Sequence, residues 1–247
     1  MKIIHISDLH IHGNNDDNKN VIELLKFILE NYPQHILIVT GDITDDGEEN
    51  QYLNAFDLLE PFLGRIFIAP GNHDYGVIGS FFDKERADRF DYFLSKDLKQ
   101  GGTFSGRSKP VVNKVENVVF IALDSNLETE TPFDFASGEI GSSQLLLLNT
   151  ILKMSEIKEM KKILFFHHHP CIVNDPFMEL KDAKELVKVI YGRVDGVLFG
   201  HKHEMKMWKN RWKIPYVIAS DNSPGKEFAN QLTIEPGVFD LKSIPIK

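Results

Sequence analysis

The sequence predicts an α/β protein built from two packed β-sheets flanked by helices. Three observations carry this: the first half alternates strand-like and helix-like patterns, the second half is strand-heavy, and seven short apolar runs each break into a polar cluster. The clearest run is 36–46, ILIVTGDITDD. Ile36, Leu37, Ile38, Val39 and Thr40 read as a strand buried on both faces, Gly41 permits a sharp turn, and Asp42 follows. A carboxylate just past the end of a buried strand lies where open α/β sheets bind ligands. The other runs behave alike. IIHIS leads into Asp8-Leu9-His10, RIFIAP into Gly71-Asn72-His73-Asp74, and VVFIAL into Asp124-Ser125-Asn126. KILFF leads into His167-His168-His169-Pro170, GVLF into Gly200-His201-Lys202-His203, and YVIAS into Asp221-Asn222. Asp, Asn and His recur at these ends, and they are side chains that bind metals.

In chain order, 18–31 places Val21, Leu24, Leu25, Ile28 and Leu29 on one helical stripe, with Asp17 or Asn18 as cap and Pro33 as stop. A second helix at 49–59 carries Tyr52, Ala55, Phe56 and Leu59, and a strand follows at 65–69. From 75 to 108 the pattern changes. Ser80 caps a predicted helix reaching about Leu98, rich in Phe81, Phe82, Phe90, Tyr92 and Phe93, with Gly101, Gly102 and Gly106 beyond it. This reads as an excursion near the site. Strands at 110–115 and 118–123 form a hairpin through Glu116-Asn117. A polar loop at 128–138 then leads to a helix from Ser142, apolar nearly all round over 145–151 and so mostly buried. A strand at 163–166 delivers the histidines, and a helix at 182–191 turns Leu186, Val187 and Ile190 inward. The tail is β-rich, with a turn at Lys209-Asn210, a strand at 216–220 and a hairpin around Pro236-Gly237.

At 247 residues, with no Pro/Gly/Ser-rich linker, one domain over 1–247 is expected. Apolar and charged fractions of 42% and 26% are those of an ordinary globular chain. A net charge of −8 argues against a long nucleic-acid partner, whose phosphates need Lys/Arg contacts. The single Cys171 excludes an internal disulfide, MKIIHISDLH has no secretory h-region, and no run approaches a membrane span. The expectation is a cytoplasmic protein with no membrane partner. Its oligomeric state stays open, a homodimer included.

Asp8-x-His10 and His201-x-His203 put pairs of ligands on one side of a strand-end loop. With Asp42, Asn72 and His168 the inventory reaches seven, more than one tetrahedral ion needs. It suits two ions sharing a bridging carboxylate and a bridging water.

The order DLH, GDITDDG, GNHD, HHHP, GHKH resembles the calcineurin-like metallophosphoesterase superfamily over 8–203. The resemblance implies a four-layer αββα sandwich of two mixed β-sheets flanked by helices, and a binuclear centre of divalent or trivalent Mn, Fe, Zn or similar ions. Carried over, Asp8, His10 and His203 hold one ion and Asn72, His168 and His201 the other, with Asp42 between. His168 is selected as lying two residues before the proline, and strand alternation turns His167 and His169 away from it. His73 matches the family's non-ligand histidine, which contacts a phosphate oxygen or protonates the leaving group, with Asp74 orienting it. His169 and His12 are further candidates for substrate contact, beside Asn72 and His73. Asp74 and the Asp45-Asp46-Gly47 sequence depart from the protein Ser/Thr phosphatases, and Asp45 stands where purple acid phosphatases have Tyr. The motif set, with SGEIGSSQLLLL before the fourth motif, is similar to class III cyclic nucleotide phosphodiesterases and related small phosphodiesterases.

Blander readings stand beside these. Asp45 is a partner of a ligand or a turn former. Asp124 and Asp221 suit capping or ligand support, and Asn126 and Asn222 suit turns or substrate contact. His5 and His35 read as structural, the aromatics of 81–93 as core, and Cys171 as a buried small residue. The resulting expectation is a metal-dependent hydrolase of a small nucleotide, cyclic ones included, or a similar phosphodiester, in which a metal-bridging hydroxide attacks phosphorus. A phosphomonoesterase or nuclease of the same superfamily is one rival, and a non-catalytic metal-binding scaffold of this fold is another.

Overall fold

The structure is a computed structural model, which describes residues 1–105, 109–127, 136–172, 175, 177–235 and 238–246. In chain order these form β1 (Lys2–Ile6), α1 (Lys19–Asn31), β2 (Ile36–Thr40), α2 (Glu49–Leu59), β3 (Ile66–Ala69) and α3 (Asn72–Tyr75). Then come β4 (Gly76–Val77), β5 (Phe81–Phe82), α4 (Lys84–Arg89), β6 (Val111–Val115), β7 (Val118–Ala122), α5 (Ser142–Ile151) and β8 (Lys161–Phe165). The rest is α6 (Ala183–Ile190), β9 (Gly196–Phe199), β10 (Lys206–Arg211), β11 (Ile214–Ala219), β12 (Phe228–Glu235) and β13 (Val238–Pro245).

One sheet runs β13-β12-β1-β2-β3, with β1, β2 and β3 parallel and β12 antiparallel to both its neighbours. The other runs β10-β11-β9-β8-β7-β6, parallel in the middle and antiparallel at both edges. β2 and β7, apolar but for Thr40, are wholly buried. Alternation sorts the second sheet. Phe120, Ala122, Ile163, Phe165, Leu198 and Ile218 share the core of the first sheet, whereas Ile121, Leu164, Phe166, Val197 and Phe199 pack with Leu148, Leu186 and Ile190 of α5 and α6. The α1 stripe of Val21, Leu24, Leu25 and Ile28 and the α2 residues Tyr52, Ala55 and Leu59 join the first sheet's core. This is the four-layer αββα sandwich. Each fully buried large apolar side chain contributes about 1.5–3 kcal/mol, so the layering follows from the sequence's apolar pattern.

Several local expectations need correction. Ser80 caps nothing: β4 and β5 pair at 76–82, and Asp83 caps α4 through the Glu85 and Arg86 N–H groups. The helix then continues as a π-helical turn over Phe90–Lys96. α5 buries one face only, with Leu146 67% exposed. The β10–β11 turn falls at Trp212-Lys213, not at Lys209-Asn210, because Arg211 still pairs with Ile214. The hairpin tip at Pro236-Gly237, Gly106 and most of the 128–138 loop lie outside the described residues. Among the described residues no helix is long and apolar enough to cross a membrane.

Candidate metal centre

The loops after β1, β2, β3, β8 and β9 meet at the carboxyl ends of parallel strands from both sheets. Asp8 N–H donates to the Gly41 carbonyl at 3.1 Å, His10 N–H to the Asp42 carbonyl at 3.0 Å, and Gly200 N–H to the His167 carbonyl at 3.0 Å. Left-handed backbone concentrates here, at Asp8 (φ 59°), His10 (48°), Asp42 (48°), His201 (76°) and His203 (48°). Such conformations cost side-chain-bearing residues of order 1 kcal/mol or more each and cluster at functional sites. Two glycines allow the close approach. A Cβ on Gly200 would lie 1.9 Å from Ser7 Oγ, and one on Gly71 would lie 2.2 Å from Asp42 Oδ1 and 2.3 Å from Asp42 N.

Three donor clusters result among the described residues, His10, Asp45 and His73 forming one at the rim and Asp42 belonging to the other two. Asp8, His10, Asp42 and His203 each offer an atom within 4.8 Å of the others, as do Asp42, His167 and His201. Asn72 Oδ1 joins the second cluster, 3.0 Å from His167 Nε2 and 3.1 Å from His201 Nδ1. The hydrogen bonds fix which atoms point inward. His167 Nδ1 donates to the Thr40 carbonyl at 2.8 Å, so Nε2 is the ring nitrogen that faces Asp42 Oδ2, 3.1 Å away. Asn72 Nδ2 donates to the Gly79 carbonyl at 2.8 Å, leaving the acceptor oxygen inward. His10 Nδ1 lies 3.3 Å from Asp45 Oδ1, and its buried Nε2 has no hydrogen-bond partner. Carboxylate, amide and imidazole donor atoms converging in a buried site are a donor set that fits a transition-metal cation.

Charge balance agrees. Burial disfavours the His167 imidazolium, yet Asp42, Asp8 and the Thr40 carbonyl outweigh it and hold the pKa at about 9. Burial likewise works against ionised Asp42, but His167 beside it keeps that carboxyl well below its usual range. Asp8 is raised, by burial first. Burial and the His167 charge push His201 far down.

The structure brings Asp8, His10, Asp42, Asn72, His201 and His203 together, with His167 rather than His168 in the cluster around Asp42 and His201. β8 sends Ile163 and Phe165 into the inter-sheet core, and His167 keeps that parity into the site. His168 lies beside the cluster: Ser125 Oγ takes its backbone N–H at 3.2 Å and lies 2.8 Å from its Nδ1, its ring is 4.5 Å from that of His201, and its buried Nε2 has no hydrogen-bond partner. The parity of KILFF is the signal in the sequence that points to His167. Asp74 does not orient His73. Its buried carboxylate accepts from Thr44 N–H (2.8 Å), Thr44 Oγ1 (2.9 Å), Gly71 N–H (2.8 Å) and Ile43 N–H (3.3 Å), tying the Asp42 loop to the Asn72 loop. His73 is positioned instead by the Asp45 carbonyl, which accepts from Nδ1 at 2.7 Å, and by its own N–H donating to Asp42 Oδ1 at 2.9 Å.

Asp45 thus contacts the His10 ring as well as sitting in a turn, and its other carboxylate oxygen lies 3.5 Å from His12 Nδ1. His169 lies away from the clusters, against Phe199 and Trp208, and burial lowers its pKa to about 4. Asn222 and Asn126 tie loops: Asn222 accepts from Ser7 N–H at 3.2 Å, and Asn126 donates to the Pro70 carbonyl at 3.1 Å. Asp124 and Asp221 accept the N–H two residues on. A cavity of about 320 Å³, lined by Asp42, Asn72, His73, Met178, His201, Lys202 and His203 among others, opens over the clusters.

Comparison with known proteins places this geometry. Residues 1–205 match the model of the calcineurin-like phosphoesterase family. A probable cyclic nucleotide phosphodiesterase of Coxiella burnetii is 26% identical over 82% of this chain and 76% of its own length. A 3',5'-cyclic adenosine monophosphate phosphodiesterase of Haemophilus influenzae is 22% identical over 98% of this chain and 85% of its own. The crystal structure of a dimetal phosphatase from Danio rerio superposes with a TM-score of 0.71 at 16% identity, covering 100% of this chain and 96% of that one, a likeness of fold.

Proposed function

The chain belongs to the calcineurin-like phosphoesterase family and is a metal-dependent hydrolase, and on that premise we propose that it is a binuclear phosphodiesterase acting on a small, cyclic-nucleotide-like phosphodiester. The observation that carries this reading is the pair of donor clusters sharing Asp42. In it Asp8, His10, Asp42 and His203 hold one cation and Asp42, Asn72, His167 and His201 the other, with manganese, iron or zinc as the ions. Such cations, when bound, supply Lewis-acid stabilisation of phosphoryl oxygens and an acidified water. Asp45 fixes the His10 ring through Nδ1, so that Nε2 faces the cluster. His73, held through Nδ1 by the Asp45 carbonyl, presents Nε2 as proton donor to the departing oxygen. The cavity of about 320 Å³ suits a mononucleotide-sized ligand better than a long chain. The relatives' names favour a diester substrate. We place this activity in one domain over 1–247 and in the cytoplasm.

The test is a panel of 3',5'-cyclic nucleotides, phosphomonoesters, glycerophosphodiesters and plasmid DNA, offered to Mn²⁺-loaded protein. Turnover should be fastest on a cyclic or other small diester. Preference for monoesters, or nicking of plasmid without turnover of small diesters, would reject the substrate assignment.

A further inference from the structure

Beyond Lys202 and His203, the metal centre accounts for none of the chemistry on the neighbouring sheet edge. β10 is an outermost strand, and residues 202–213, KHEMKMWKNRWK, hold five Lys or Arg and one Glu. That segment is +4 in a chain of −8, so the remainder carries −12. Its cations sit over aromatic rings. Lys206 Nζ is 5.1 Å and Arg211 Cζ 5.5 Å from the Trp208 ring, Arg211 is 4.9 Å from Trp212, Lys209 5.9 Å from Tyr216, and Lys213 5.5 Å from Tyr191. Met205, Met207 and Tyr191 are exposed, at 36%, 42% and 49%.

Lysines on an edge strand also serve to block edge-to-edge pairing. That role calls for neither a row of rings nor exposed methionines. We propose that this edge, residues 202–213 with Tyr191, docks on an anionic phospholipid bilayer. Lys and Arg stems lying along Trp and Tyr rings, with charged ends outward, match the composition of the bilayer interface. The contrast between a +4 edge and a −12 remainder orients the molecule with this edge toward a negative plane and the rest away. Single-stranded nucleic acid fits less well, because bases need open ring faces. Trp208 has cations over it and packs against Phe199 (6.1 Å, 28°) and His169 (5.6 Å). No membrane-spanning segment is required for a peripheral contact of this kind. Lys202 and His203, where the edge begins, also line the cavity over the donor clusters, so docking would set that opening beside lipid headgroups. The proposal does not depend on the phosphodiesterase reading.

Trp208 and Trp212 are the only tryptophans of the chain, so intrinsic emission reports this edge alone. Full-length protein would be titrated with phosphatidylcholine vesicles and with equimolar phosphatidylcholine/phosphatidylglycerol vesicles, with sedimentation in parallel. A blue shift and co-sedimentation are expected with the anionic vesicles only, reversed by about 0.5 M salt. The exposed triple variant Lys206→Gln/Lys209→Gln/Lys213→Gln should partition about 100-fold more weakly, since each cation near such a surface is worth on the order of fivefold. Its vesicle-free hydrolysis of bis(p-nitrophenyl) phosphate should match the wild type. No response to anionic vesicles, an equal response to neutral ones, unchanged partition of the variant, or an equal response to a single-stranded oligonucleotide would overturn the proposal.

Discussion

Replacing Asp74 by Ala separates two accounts of that carboxylate. Asp74 is fully buried and accepts three backbone N–H groups, from Thr44, Gly71 and Ile43, besides the Thr44 hydroxyl. A buried donor left unpaired costs about 1–3 kcal/mol. The hydroxyl can turn elsewhere and a water can enter the vacated space, so the expected loss is near the lower end for three donors, about 3 kcal/mol. For a chain of this size that lowers Tm by roughly 6–12 °C. The pH dependence carries a sign. Burial, then the Asp42 charge, raise the Asp74 carboxyl to about 6. A carboxyl raised above its unfolded value of 3.8 gives the folded state stability at low pH that is lost as pH rises through 6. Asp74→Ala lacks that slope, so the gap in Tm between wild type and variant should be wider near pH 5 than near pH 8. Melting followed by far-UV circular dichroism across this range is the assay. If Asp74 instead oriented His73, the variant would melt within about 2 °C of wild type and lose activity chiefly on poor leaving groups. That outcome would refute the account of the two tied loops.

His167→Ala should lose the cation held with Asn72 and His201 and reduce hydrolysis to background, whereas His168→Ala should keep its metal; the reverse pattern, read by metal analysis and turnover, would restore the sequence-based choice. Because His167 is held at about 9, uptake of a cation near neutral pH must displace its proton. Calorimetry in buffers of different ionisation enthalpy should therefore show release of about one proton at pH 7.5 and less above pH 9. In the metal-free protein this group's stabilisation is complete below 6.5 and fades as pH rises through 9, so metal-free melting should weaken over that interval. Gly71→Ala would drive a Cβ into Asp42, 2.2 Å from Oδ1, and should cost about 1–3 kcal/mol together with most metal affinity; a folded, fully loaded variant would contradict the close packing described.

Much of the sandwich was legible because burial writes itself into apolar periodicity. ILIVT and VVFIA are wholly apolar or β-branched and became central strands, and the α1 stripe emerged on its predicted face. The excursion after Tyr75 was not, because its hairpin and the Asp83 cap depend on tertiary hydrogen bonds such as Asp83 N–H to the Tyr75 carbonyl. At the site, six of the seven expected ligands converge. The seventh, His168, lies outside both Asp42 clusters: where three histidines stand in a row composition cannot distinguish them, and it is the inward parity of Ile163 and Phe165 that points to His167. Asp45 illustrates a different limit. Its carboxylate serves His10 and His12 while its carbonyl serves His73, and a role split between side chain and backbone leaves no motif.

The claim on which the rest depends is that Asp42 is shared by two cation sites. Metal content of the purified, Mn²⁺-loaded protein, measured by inductively coupled plasma mass spectrometry beside Asp42→Ala, tests it directly. The account expects about two ions per wild-type chain and fewer than about one in the variant. A single ion in the wild type, or an unchanged count in Asp42→Ala, would contradict it.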